Sequence, residues 1–206
     1  MRKLFTMFLI IILVISMMAG CKKEPPPPQD VTPPDNNGGT VGDTSSKDGG
    51  IAKIGLGSIT SIDDSKDAEG DEGPVAQVDT VIAAVAFDGN DRVVKVTIDS
   101  AQTKVDFDNK GKLVTDKEGN FKTKVELGND YNMKKASDIG KEWFEQISEL
   151  EKWMVGKTVN EIKSMKVREK DPNHTHVPDE PELTSTVTIT VQDYIAAVEK
   201  AHRNAK

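Results

Sequence analysis

The stretch VDTVIAAVAFDGNDRVVKVTI, Val78 to Ile98, decides the fold. Val78 to Phe87 is a nearly continuous apolar run, Asp88 to Asp91 is an Asp-Gly turn signal, and Arg92 to Ile98 is rich in valine. Two short β-favouring runs about such a turn predict an antiparallel hairpin. Downstream, TKVDFD (103–108), KLVTD (112–116) and FKTKVEL (121–127) are separated by Asn, Lys and Gly turns. The spacing predicts a meander of about five short strands.

Periodicity then changes. Ile139, Trp143, Ile147, Leu150 and Met154 recur at steps of three or four, with charges on the other faces, which predicts a helix with Ser137 as N-cap and Gly156 as terminator. Thr158 and Glu161 form a capping-box pattern before a second, short helix. Residues 166–182 read as an irregular loop. Thr184 to Ile189 reads as a strand or extended lead-in, and Val191 to about Arg203 as a last helix, with Thr190 and Asp193 spaced like a cap. The fold class expected is α+β: a mostly antiparallel sheet with helices packed against it, in one domain over residues 51–206.

The N-terminus carries a different message. Arg2 and Lys3 precede an apolar run from Leu4 to Met18, then Ala19, Gly20 and Cys21. That run falls short of the ~20 residues that span a bilayer, and with its basic start it reads as a signal peptide over residues 1–20. Met18-Ala19-Gly20-Cys21 resembles the bacterial lipobox, which implies a diacylglycerol on the Cys21 thiol. Cys21 is the only cysteine, so no disulfide is available to the chain. Residues 22–50 hold six of the ten prolines and almost no apolar side chains. A segment of that composition cannot offset its ordering entropy, so residues 21–50 read as a disordered, Pro/Gly-rich stalk. The localisation expected is the extracytoplasmic face of the cell membrane, held through lipid at Cys21. The whole chain carries −7, of which Arg2 and Lys3 contribute +2, so the exported part would carry −9. This balance argues against nucleic acid as a partner.

Chemistry-bearing residues are few. The turns at 88–91, 108–111 and 116–120 lack the alternating acidic spacing of a calcium loop and fit positive-φ turn chemistry. His174 and His176, near Asp171, Asp179 and Glu180, supply metal-ligand types in a loop without regular spacing. A nucleophile elbow, a P-loop and a dinucleotide fingerprint are all missing from the sequence. No enzyme is expected.

One motif remains. ELTSTVTIT, Glu182 to Thr190, leads into the last helix. It resembles the flavinylation motif of FMN-binding domains, found in subunits of flavinylated respiratory complexes and in electron-relaying surface lipoproteins. In that family an acidic residue stands three places before Ser-Gly-Ala-Thr, and the threonine is joined through a phosphoester to FMN. Here Glu182 takes the acidic place, Ser185 the serine and Thr188 the acceptor, while Thr186 and Val187 stand where Gly and Ala are usual. TKVELGNDYNMKKASDIGKEW (123–143) is in turn similar to stretches of uncharacterised clostridial-type lipoproteins. Within it Lys124, Tyr131 and Met133 supply a cation for phosphate and aromatic and thioether surface for a ring. The resemblance implies FMN as cofactor, covalent at Thr188, a separate FMN transferase and a redox partner, in an electron-relay or flavin-carrier module. A second expectation is a non-redox surface lipoprotein that binds a small ligand or a protein on the same scaffold. A third is metal binding at His174 and His176.

Overall fold

A computed structural model describes residues 50–206; the signal peptide, Cys21 and all but the last residue of the stalk lie outside the described residues. The described residues form one compact unit with its own core.

Three antiparallel strands run in the order β1 (Lys53–Ser61), β2 (Val75–Phe87), β3 (Val93–Asp106). The predicted hairpin is β2–β3, paired from Val75 with Asp106 to Phe87 with Val93, with a register shift at Ala86/Phe87 where the turn enters. At that turn Asp88 Oδ1 accepts the N–H groups of Asn90 at 2.8 Å and Arg92 at 2.9 Å. Asp108 Oδ1 serves Lys110 and Lys112 in the same way. These acidic turns are built by Asp capping its own backbone.

Among the described residues the two long helices lie on one face of the sheet. In β2, Val81, Ala83, Val85 and Phe87 point into the core, as do Val96 and Ile98 of β3. Against them pack α2 (Trp143–Met154), with Trp143, Ile147, Leu150 and Met154 buried, and α4 (Gln192–Asn204), with Tyr194, Ala197, Val198 and Ala201 buried. The short α3 (Val159–Lys163) starts at the Thr158–Glu161 capping box and adds Ile162. Two-residue strands β4 (Val167–Arg168) and β5 (Val177–Pro178) pinch the loop before α4.

β1 explains itself only through α4. A Cβ on Gly55 would stand 1.9 Å from the carbonyl oxygen of Ala201, and one on Gly57 2.0 Å from that of Ala197. The helix therefore lies backbone to backbone on the strand, and its C-terminal end also closes the sheet edge. Ile54 exchanges two hydrogen bonds with Lys206, Asn204 Nδ2 donates to the Leu56 carbonyl, and Lys200 Nζ to that of Ser58.

The sheet is shorter in strand number than the meander expected from the sequence. The runs at 92–98 and 103–108 fuse into the single 14-residue β3. Residues 112–116 make only a one-residue bridge, Phe107 to Leu113, because Thr115 instead folds its hydroxyl onto the Asp106 N–H at 2.7 Å. Residues 124–127 form a helical turn, α1 (Lys124–Leu127), nucleated by a Thr123–Glu126 capping box. Thr184 to Ile189 is not a strand: the Glu180 carbonyl accepts from Leu183 and Thr184, and the Leu183 carbonyl from Thr186 and Val187, which winds residues 180–187 into turns. Thr190 does not cap α4 either. Val191 holds the N-cap place, and the Thr190 hydroxyl is buried with no hydrogen-bond partner among the described residues.

Candidate functional site

The first turns of α2 gather Lys124, Tyr131, Met133 and Thr188 of the candidate residues. Helix α2 begins after Glu142, whose N–H donates to Glu145 Oε2 at 2.8 Å. Glu142 is itself buried, and its carboxylate accepts the backbone N–H groups of Met133 at 2.8 Å and Lys134 at 3.1 Å. A buried carboxylate needs such partners. The result is that the 3₁₀ turns at Gly128–Tyr131 and Met133–Lys135 are tied over the start of the helix. Ser137 is not the N-cap; its hydroxyl accepts from Gln146 Nε2 at 3.3 Å and from the Lys141 N–H at 3.4 Å.

Tied in this way, the loop delivers an aromatic and cationic wall. Lys124 Nζ stands 4.9 Å from the Tyr131 ring centre and 5.5 Å from that of Trp143. The Tyr131 hydroxyl donates to Gln102 Oε1 on β3 at 3.2 Å. Trp143 is buried, and its Nε1–H donates to the Tyr194 hydroxyl at 2.9 Å, the two rings meeting edge to face at 6.0 Å. Burial pushes the Tyr194 phenol up to about 12, against the smaller opposing effect of the Trp143 hydrogen bond.

Thr188 joins this site through Gln146, one turn along α2 from Trp143. Gln146 is fully buried, and its Nε2 donates to Ser137 Oγ and to the Lys141 carbonyl, both at 3.3 Å. Its Oε1 is thereby left to Thr188, which donates both its N–H at 2.8 Å and its hydroxyl at 3.3 Å. Thr188 is half-buried, whereas the preceding Val187 is fully buried in the core. The Thr186 hydroxyl turns back onto the Leu183 carbonyl at 3.3 Å. Glu182 and Ser185 are exposed on the same turn. The structure thus brings Lys124, Tyr131, Met133 and Thr188 around α2, and places Glu182, Ser185 and Thr186 on the turn leading in, without hydrogen bonds to the cluster.

The sequence pattern assigns Trp143 to the apolar stripe of its helix and Glu142 to the charged faces, whereas Glu142 and Gln146 are both buried. The available signal was a polar pair, Glu142 and Gln146, on the same helical stripe as Trp143 and Ile147, where a helix packed on a sheet should be apolar.

The histidine loop divides its ligands. His174 Nδ1 lies 2.8 Å from Asp171 Oδ1, while His176 Nδ1 meets the Thr175 hydroxyl at 2.9 Å. Among the described residues no group of three or more His, Cys, Asp or Glu side chains is placed to hold a metal ion. On the far side of α4, Lys163, Met165, Val167, His176, Val191 and Ile195 line an apolar groove of about 280 Å³.

Compared with protein-family models, with characterised proteins and with solved structures, the chain finds no match.

Proposed function

We propose that this chain is a lipid-anchored, extracytoplasmic module that carries FMN at the Thr188 corner and serves electron relay or flavin carriage without being an enzyme. The observation that carries the proposal is the pinning of a half-buried threonine hydroxyl by a buried glutamine, one helical turn from the buried Trp143, over which Lys124 and the half-buried Tyr131 stand. Such a corner suits a phosphorylated aromatic ligand: the Lys124 cation for the phosphate, the Tyr131 ring for stacking and the Thr188 hydroxyl for attachment.

The residues fit that group in one further respect. β-Branched bulk at 186 and 187 would obstruct a phosphate approaching the backbone, but Val187 spends its side chain in the core and Thr186 folds its hydroxyl inward. FMN, when bound, supplies the redox chemistry. The chain's own part is to position. Gln146 holds Thr188, Lys124 offers charge, Tyr131 and Met133 offer ring contact, and Glu182 and Ser185 stand on the exposed turn that a modifying enzyme would grip. Attachment would proceed on a separate transferase: the Thr188 oxygen bonds to the FMN phosphorus of FAD as the phosphoanhydride bond breaks, AMP leaves with the electron pair, and the hydroxyl proton passes to a base of that enzyme.

Flavin fluorescence tests the non-covalent part. Residues 44–206 should quench free FMN saturably, and Lys124→Ala and Tyr131→Ala should each weaken binding by about tenfold, or ~1.4 kcal/mol. Quenching that ignores both substitutions, or no quenching at millimolar FMN, removes the proposal. The groove beside α4, lined by Met165, Val191 and Ile195, favours a second reading, a non-redox lipoprotein that takes a small apolar ligand there.

A further inference from the structure

The two long helices, α2 and α4, pack on one face of the sheet, and among the described residues the opposite face is open over β1 and β2. There Ile54 and Leu56 of β1 are 59% and 60% exposed, and Ile82 and Val78 of β2 37% each, with the exposed Ala84 beside Leu56 and the half-buried Thr80 between Val78 and Ile82. In a chain that is 30% charged, the β1 and β2 rows of this face carry no charge from Ile54 to Thr60 or from Val78 to Ala86; Lys95 and Asp99 on β3 are its charges over the same rungs. A contiguous apolar sheet face of this kind marks an interaction surface. The chain's own upstream segment, residues 22–50, has almost no apolar side chains with which to cover it.

We infer that the face docks a second copy of this chain, sheet against sheet. The register supplies the reason. Leu56, Ala84 and Thr97 lie on one rung of the three strands, and on β3 Lys95 and Asp99 stand two residues to either side of that rung. A twofold axis lying in the interface, across the strands at this rung, stacks Leu56 on Leu56 and Ala84 on Ala84. It also brings Lys95 of each copy onto Asp99 of the other, so the face is complementary to itself in charge as well as apolarity. Lys95 makes no salt bridge among the described residues. Asp99 uses only Oδ1, on the N–H groups of Ser100 and Val125. An anionic lipid surface is disfavoured by the exported chain's −9. Three strands at ~4.8 Å spacing and about eight residues of ~3.3 Å rise cover roughly 400 Å² per copy. Twice that, roughly 800 Å² in all, lies below the range of stable specific interfaces, so the dimer is weak and reversible, half-formed on the order of 100 µM.

Sedimentation equilibrium on residues 44–206 tests this. The mass should climb toward twice the monomer as concentration rises. Leu56→Asp should hold it at the monomer, and Lys95→Asp should weaken association by about tenfold, whereas Val155→Asp, at the exposed end of α2, should change nothing. Lys95→Asp mixed with Asp99→Lys should recover the association that each weakens alone; if Asp99→Lys fails to fold by circular dichroism, the first two variants decide. A monomer up to about 1 mM, or association that Leu56→Asp does not reduce, overturns the inference. So does a monomer that co-sediments with phosphatidylcholine vesicles and loses this in Leu56→Asp, which assigns the face to lipid.

Discussion

Replacing Gly57 with alanine adds one methyl group at a place where α4 leaves no room for it. Neither Gly57 nor Gly55 has positive φ, so backbone strain plays no part and the effect is one of space alone. The new Cβ would start 2.0 Å from the Ala197 carbonyl oxygen and 2.5 Å from the Ala201 nitrogen, both backbone atoms that cannot rotate away. Helix α4 must retreat by at least about 1 Å, and a gap of that size forfeits a quarter to a half of each dispersion contact it opens. The contacts at stake are those of Tyr194, Ala197, Val198 and Ala201 with β1 and β2, together with the edge bonds from Lys200, Asn204 and Lys206. Overpacking of this type costs about 3 kcal/mol, against which the gain from a stiffer unfolded chain is only about 0.5–1 kcal/mol. Gly57→Ala should therefore lower Tm by roughly 6–10 °C in a domain of this size. Gly55→Ala should behave alike, since its Cβ meets the Ala201 carbonyl oxygen at 1.9 Å. Gly89→Ala is the counterpart: it too lacks positive φ and nothing lies within 4 Å, so it should be neutral or slightly stabilising. Urea denaturation of the three variants separates the cases. Equal stability in all three would refute the backbone-to-backbone placement of α4 on β1.

Three further outcomes follow from the polar groups. Burial pushes the Glu151 carboxyl above the usual carboxylate range, partly offset by the Ile98 N–H it accepts at 2.6 Å. A carboxyl raised on folding contributes stability that is present below its unfolded pKa and lost as pH rises through its folded one. Glu151→Gln should accordingly gain on the wild type as pH climbs from 4 to 7 in parallel urea titrations; a constant difference would contradict it. Tyr194→Phe leaves the buried Trp143 Nε1–H without a partner and should cost about 1–3 kcal/mol. With the phenol held near 12, spectrophotometric titration of the wild type should find one of the two tyrosines ionising only there, with stability falling as pH passes from 10 to 12. Gln146→Leu strips the acceptor from both Thr188 donors and should cost about 2 kcal/mol or more, with faster hydrogen exchange at the Thr188 amide; unchanged exchange would mean that Gln146 does not hold that corner.

What could be read in the chain was local. The β2–β3 hairpin announces itself through an apolar run broken by Asp-Gly, and α2 and α3 through spacing and, for α3, a capping box. β1 was unreadable because KIGLGSITS owes its glycines to a helix nearly 150 residues away, and without that helix they look like a loop. β3 was cut in two because Asp99 and Ser100 resemble a turn, yet Ser100 is buried on the core face and the Asp99 carboxylate bonds its own strand's backbone. Thr123 and Glu126 did carry a readable helix signal, masked by the β-favouring residues between and around them. The same bias turned TSTVTIT into a strand, although the carbonyls of Glu180 and Leu183 wind residues 180–187 into turns. At the site, Lys124, Tyr131 and Met133 were visible as a mixed cation and aromatic segment. The buried Glu142 that ties their loop to α2 becomes meaningful only once its carboxylate is seen to have two backbone donors.

The most direct test of the flavin proposal is the intact mass of the exported chain produced alongside an FMN transferase. We predict a yellow protein heavier by one FMN phosphoester, with the added mass lost in Thr188→Val and retained in Ser185→Ala. A colourless chain of unmodified mass that retains no flavin on gel filtration would contradict it.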